Sequence, residues 1–119
     1  MRNFRDLEVW KSSVILVKNI YLLTESFPNT EKFGLVSQIT RCAVSIPSNI
    51  AEGCSRTSQK DFSRFLQISL GSAFELETQL EIAKEINFIN KKEYSNIIEE
   101  LHIIQKRIQS LKKYVDSKI

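Results

Sequence analysis

Gln38, Arg41, Ser45, Asn49 and Glu52 follow one another at steps of three or four residues, which places five hydrogen-bonding side chains on one face of a helix. Such a stripe has two readings. In the first it is a contact surface for a ligand or nucleic acid, with Arg41 and Asn49 as donors and Glu52 as a counter-charge. In the second it is a buried or interfacial hydrogen-bond network that fixes helix register, with Arg41 paired to Glu75 or Glu52.

Other reactive residue types are sparse. Gly71-Ser72 is followed by Glu75 and Glu77, and paired carboxylates can do acid–base work or bind metal. Metal sites in helical bundles use a Glu-x-x-His spacing on each of two helices; this chain has one, Glu99-Glu100-Leu101-His102, and its one histidine leaves no second. The one histidine, His102, stands between Leu101 and Ile103 with Glu99 and Lys106 at helical-neighbour spacing. It reads as a solvated or partly packed helix residue. Nucleophilic catalysis needs a hydroxyl or thiol beside a base and an orienting group, and no motif supplies that set. Glycine-rich phosphate loops and zinc-type cysteine pairs are missing from the sequence as well. The expectation is a protein that is not an enzyme and uses no metal or cofactor.

The charge pattern points to partners. The chain has 119 residues, 17 Lys and Arg against 14 Asp and Glu, and a net charge of +3, too small to prove a nucleic-acid partner. Its distribution says more. From Lys106 onward stand Lys106, Arg107, Lys112, Lys113 and Lys118 against one acid, Asp116, whereas Glu75, Glu77, Glu81 and Glu85 make another segment acidic. Arg2, Lys11, Lys18, Arg56, Lys112 and Lys113 are the candidates for neutralising phosphates, with a solvated face as the plainer alternative.

Helices must position these residues. Three glycines and two prolines leave little material for sheets or turns, and the length suits one domain. Hydrophobic periodicity predicts helices over 6–26, 31–52, 58–87 and 90–117. The first carries two apolar stripes, one through Leu7, Trp10, Val14, Val17 and Tyr21, the other through Val9, Leu16, Ile20, Leu23 and Phe27. Asp6 is its expected cap. The second turns Phe33, Val36, Ile39, Ala43, Ile46 and Ile50 inward, contains Pro47 with an expected kink or break, and ends at Gly53 in the left-handed conformation. The third, capped by Thr57 or Ser58, buries Phe62, Leu66, Ser69, Ala73, Leu76, Leu80 and Ala83. The fourth, capped by Asn90, buries Ile97, Leu101, Ile104, Ile108, Leu111 and Val115. Long helices with short links should alternate up and down as an all-α, antiparallel four-helix bundle.

Surplus apolar positions, among them Trp10, Ile98 and Ile103, argue for a homo-oligomer. No run approaches the roughly 18 apolar residues of a membrane span, and the N-terminus has no apolar signal core. A cytoplasmic protein with reduced thiols is expected, since Cys42 and Cys54 on one helix would be about 18 Å apart.

Several segments carry a family resemblance. Phe4-Arg5-Asp6-Leu7-Glu8-Val9-Trp10, Glu31-Lys32-Phe33-Gly34-Leu35 and above all Ser45-Ile46-Pro47-Ser48-Asn49-Ile50-Ala51-Glu52-Gly53 resemble the bacterial 23S ribosomal-RNA intervening-sequence proteins. Arg56, Phe62, Phe65-Leu66 and Gly71-Ser72 with Glu75-Leu76-Glu77 extend the likeness. Ser48 and Ser69 are departures, standing where the family often has alanine and a small apolar residue. The resemblance implies a four-helix bundle assembling into a ring-shaped homopentamer, with no established biochemical role. That family in turn resembles the accessory proteins of diversity-generating retroelements, basic pentamers that bind nucleic acid and a reverse transcriptase. Two expectations follow: an oligomer that binds RNA or an RNA–DNA hybrid through basic surfaces, or an assembly or adaptor protein whose polar stripe and apolar faces serve self-association and a protein partner.

Overall fold

The computed structural model describes residues 2–119, and among them every regular element is helical. The long helices are α1 (Glu8–Thr24), α2 (Leu35–Cys54), α3 (Gln59–Glu85) and α4 (Lys91–Asp116), with short 3-10 turns at Phe4–Asp6 and Asn29–Glu31. Two starts agree with the sequence signals. The Ser58 side chain accepts the Asp61 amide at the head of α3. At the head of α4, Asn90 Oδ1 accepts the Glu93 amide at 2.8 Å and Glu93 Oε1 accepts the Asn90 amide at 2.9 Å, a complete capping box.

Other ends differ from expectation. Asn3, not Asp6, is the N-terminal cap, and it caps the 3-10 turn that contains Asp6; α1 follows from Leu7 without a side-chain cap. The segment expected to open the second helix forms a 3-10 turn instead, so α2 begins at Leu35. Phe33 therefore lies outside the helical repeat and is 89% exposed rather than inward. Gly53 lies within α2 with an ordinary helical φ, and the left-handed residue is Asn87, φ 65°. Beyond α3 the Phe88 amide donates to the Ala83 carbonyl at 2.9 Å and the Asn87 amide to that of Lys84 at 3.0 Å. These paired bonds satisfy carbonyls that the helix end would leave bare.

Neighbouring helices are α1 with α2, α2 with α3, α3 with α4 and α4 with α1, and the diagonal pairs do not approach. Cross-helix bonds set the directions. Ser69 Oγ donates to the Ile46 carbonyl at 2.9 Å, and Gly53 meets Phe62, so α2 and α3 run antiparallel. Ser63 bonded to Asp116 and Tyr94 bonded to Glu81 set α3 against α4, and Asn19 bonded to Glu100 sets α1 against α4. The result is a bundle 45 Å long.

Its core confirms the inward sets of α3 and α4, apart from half-buried Leu111, and corrects that of α1. Val9, Leu16, Ile20 and Phe27 are buried, whereas Val14 and Tyr21 of the other stripe are exposed. Leu7, Trp10 and Val17 of that stripe are half-buried against the core, since two neighbouring helices cover a wide face, and only its outer members meet water. Pro47 does not break α2, which is continuous around it. It is buried there, and the nearby carbonyls gain side-chain donors: Ser69 Oγ to Ile46, and Asn49 Nδ2 to Ser45 at 2.8 Å. The serine that departs from the apolar pattern thus has a structural partner across the helix interface.

Candidate nucleic-acid interface

Alternating helix directions bring three distant segments to one end of the bundle: the start of α1, the link between α2 and α3, and the end of α4. Five of the six candidate phosphate contacts, Arg2, Lys11, Arg56, Lys112 and Lys113, therefore lie at the same end of the bundle. Lys18 is not among them, since it lies in the middle of α1. Arg5, Lys60, Arg64, Lys106 and Arg107 belong to the same half, where bases outnumber acids. Acids outnumber bases in the other half, which holds Glu75, Glu77, Glu81 and Glu85 of α3 together with Glu93, Glu99 and Glu100 of α4. The small net charge is the residue of two opposed local charges.

The basic side chains differ in freedom. Lys11 pairs with Glu8 at 3.4 Å and Lys112 with Asp116 at 2.8 Å, while Lys113 and Lys18 have no ion-pair partner among the described residues. Asp116 is also the acceptor of the Ser63 hydroxyl, and Lys112 together with Ser63 holds its carboxyl below the ordinary range. Arg2 ties the N-terminus to the α2–α3 link: its Nη1 donates to the Arg56 carbonyl at 2.9 Å, its Nη2 to Gln59 Oε1 at 2.5 Å, and its guanidinium lies 4.3 Å from the Phe62 ring centre.

The polar stripe of α2 separates into two parts. Gln38, Arg41 and Ser45 line a groove of about 440 Å³ with Ser72, Glu75 and Gln79 of α3, and Ser45 and Ser72 are hydrogen-bonded across it. Asn49 and Glu52 lie further along; Glu52 pairs with Arg56 at 3.3 Å. The expected pairing of Arg41 with Glu75 or Glu52 is not found: Arg41 is exposed and has no ion-pair partner among the described residues. Glu75 instead faces Cys42, whose thiol is pushed up to about 11 by burial first and by the Glu75 charge second. Cys42 and Cys54 are both free and buried in α2.

A third arrangement went unseen in the sequence because its partners are on different helices. His102 Nε2 lies 3.1 Å from Glu77 Oε1, and Gln105 Nε2 donates to the same oxygen at 2.8 Å. These residues line a groove of about 560 Å³ between α3 and α4, together with Phe74, Thr78 and Glu81. The Gln105 bond, followed by His102, holds the Glu77 carboxyl below the ordinary range. Glu81 is likewise low, through Lys84 and then Tyr94. His102 is 47% exposed at the groove, partly packed as its sequence position suggested.

The fold and its polar seams now stand beside those of known proteins. The family model for the 23S rRNA-intervening sequence protein matches residues 5–110. The chain belongs to that family. A protein of unknown function from the S23 ribosomal protein family of Bacteroides thetaiotaomicron VPI-5482 has a similar solved structure, at 1.70 Å resolution. The two are 31% identical, superpose with a TM-score of 0.82, and share 88% of this chain and 95% of that one. No curated protein matches the chain. In this intervening-sequence family member, no described helix is long and apolar enough to cross a membrane. No group of three or more His, Cys, Asp or Glu among the described residues is arranged to hold a metal ion.

Proposed function

We propose that the protein is a non-enzymatic, cytoplasmic binding protein that self-associates and holds RNA, or an RNA–DNA hybrid, against its basic end. The observation that supports this reading is the gathering of Arg2, Lys11, Arg56, Lys112 and Lys113 at one pole by chain reversal, with the acidic half turned away. A polyanion is attracted to the first and repelled by the second, so the bundle is oriented before contact. In a ring of copies, a pentamer on the family resemblance, the basic poles would add into one larger surface.

The experiment is binding of the purified protein, its mass measured in solution, to structured RNA and to duplex DNA across a salt series. Phosphate contacts predict a log–log slope of several units, on the order of −0.7 to −0.9 per phosphate neutralised. An oligomer that binds neither at low salt would overturn the reading.

The groove with exposed Arg41 and exposed Phe33 favours a second reading, an assembly or adaptor protein that meets a protein partner there. On that reading Arg41→Ala changes the solution mass or loses the partner, and charge reversal at Lys113 changes nothing.

A further inference from the structure

Where α2 gives way to α3, Arg2, Ser55, Arg56 and Thr57 line a groove of about 520 Å³. We propose that this groove seats one phosphate group, as the fixed point at which a nucleic-acid strand drawn to the basic end is gripped. The larger ligand rests on the nucleic-acid reading; the phosphate seat does not.

The arginines are held ready by aromatic faces. Phe62 and Phe65 are buried, at 3% and 7% exposure, one turn apart at the start of α3. Arg2 lies over the Phe62 ring at 4.3 Å, and Arg56 and Arg64 lie over the Phe65 ring at 4.7 and 4.6 Å. Two rings thus fix three like charges close together. A guanidinium stacked on a ring keeps its N–H edge free for planar recognition of an oxyanion.

Protein partners use only part of this donor set. Arg2 spends both terminal nitrogens on the Arg56 carbonyl and Gln59, and so supplies position and charge. Among the described residues Arg56 donates only through Nη2, to Glu52 Oε1 at 3.3 Å; its Nε is buried without a partner, and Nη1 is the terminal nitrogen left for a ligand. The Arg56–Glu52 pair is half-exposed, as is the 3.8 Å pair of Arg64 with Asp61, so both carboxylates can turn to water at little cost. Thr57 adds an exposed hydroxyl at the groove. Preorganised guanidinium donors with a hydroxyl and surplus positive charge match a phosphate better than a carboxylate or a neutral group.

The test uses the whole protein and three probes: sodium pyrophosphate, a single-stranded RNA carrying a 5′-phosphate, and the same RNA without it. Amide shifts are followed in ¹H–¹⁵N spectra, and RNA affinity by anisotropy. Thr57→Glu places a carboxylate at the groove without removing a packed side chain. Ser117→Glu makes the same charge change at the same end, outside the groove, and is the control. Arg56→Lys keeps the charge but loses the fork. Pyrophosphate should shift Ser55, Arg56, Thr57 and Gln59 first and saturably, and Thr57→Glu should abolish this while Ser117→Glu does not. RNA affinity should fall about tenfold in Thr57→Glu and Arg56→Lys, against about twofold in the control. A larger loss for the 5′-phosphorylated strand assigns the seat to a strand end, and equal losses assign it to the backbone. Shifts spread evenly over the basic residues, or equal effects of Thr57→Glu and Ser117→Glu, overturn the seat and leave RNA binding standing. Saturable pyrophosphate binding at the groove with no RNA binding confirms the seat and overturns the nucleic-acid reading.

Discussion

Gly53 lies against Phe62 so closely that a side-chain carbon on the glycine would stand 2.9 Å from Phe62 Cδ1 and equally near Phe65 Cβ. A Cβ fixed directly to the α3 backbone and a buried ring have little room to yield, so Gly53→Ala should cost about 1–3 kcal/mol through overpacking, even though alanine is the better helix former. Gly71 is the control within the same protein: it is exposed in α3, and nothing lies within 4 Å of an added Cβ. Gly71→Ala should stabilise by about 0.5–1 kcal/mol. Thermal melts of the two variants should move in opposite directions, and a neutral Gly53→Ala would show that α2 and α3 have room to part.

Acid should weaken the bundle through the α3–α4 seam. Glu77, Glu81 and Asp116 are each held below their ordinary carboxyl values, 4.5 for the glutamates and 3.8 for the aspartate. A depressed folded-state pKa means that the folded protein binds fewer protons than the unfolded chain through this window. The stabilisation is therefore complete above the ordinary values and disappears as pH falls through the lower folded ones. Denaturant midpoints should drop on going below about pH 4.5. Glu77→Gln should flatten that dependence, and an unchanged profile would place the linkage elsewhere.

The two cysteines should resist alkylation in the native state. Cys42 needs a pH near 11 to form its thiolate, and Cys54 is raised as well, through burial. Since the thiolate is the nucleophile, iodoacetamide at pH 8 should leave both untouched until denaturant is added, as read by intact mass. Rapid labelling of Cys54 without denaturant would mean that the end of α2 opens locally.

Charge reversal should separate the poles. Lys113→Glu, at the basic end, should weaken RNA binding and reduce the salt slope by about one unit, while Lys91→Glu, at the start of α4 and the opposite pole, should change neither. Lys18→Glu, in the middle of α1, should fall between them. Equal effects at all three positions would mean that the strand follows net charge rather than the pole.

The sequence determined much of this protein by itself. Period and caps set four helices: Ser58 and Asn90 begin the helices they were expected to begin, and the inward set of α3 is buried from Phe62 to Ala83. Those signals are local, for an N-cap bonds an amide three residues away and a core stripe follows from 3.6 residues per turn. Phe33 misled because periodicity has no meaning where the backbone is not helical. Tyr21 misled because a wide apolar face does not say where its neighbours' cover ends. Partners across helices were decided by tertiary structure alone. His102 meets Glu77, Ser69 reaches Ile46, Gly53 serves approach rather than termination, and Arg41 has no ion-pair partner among the described residues. The basic pole has the same origin, since Arg2, Arg56 and Lys113 are separated by more than fifty residues of chain each and come to the same end only because successive helices reverse direction. Sequence spacing reports what one helix presents; which faces meet depends on packing summed over all four.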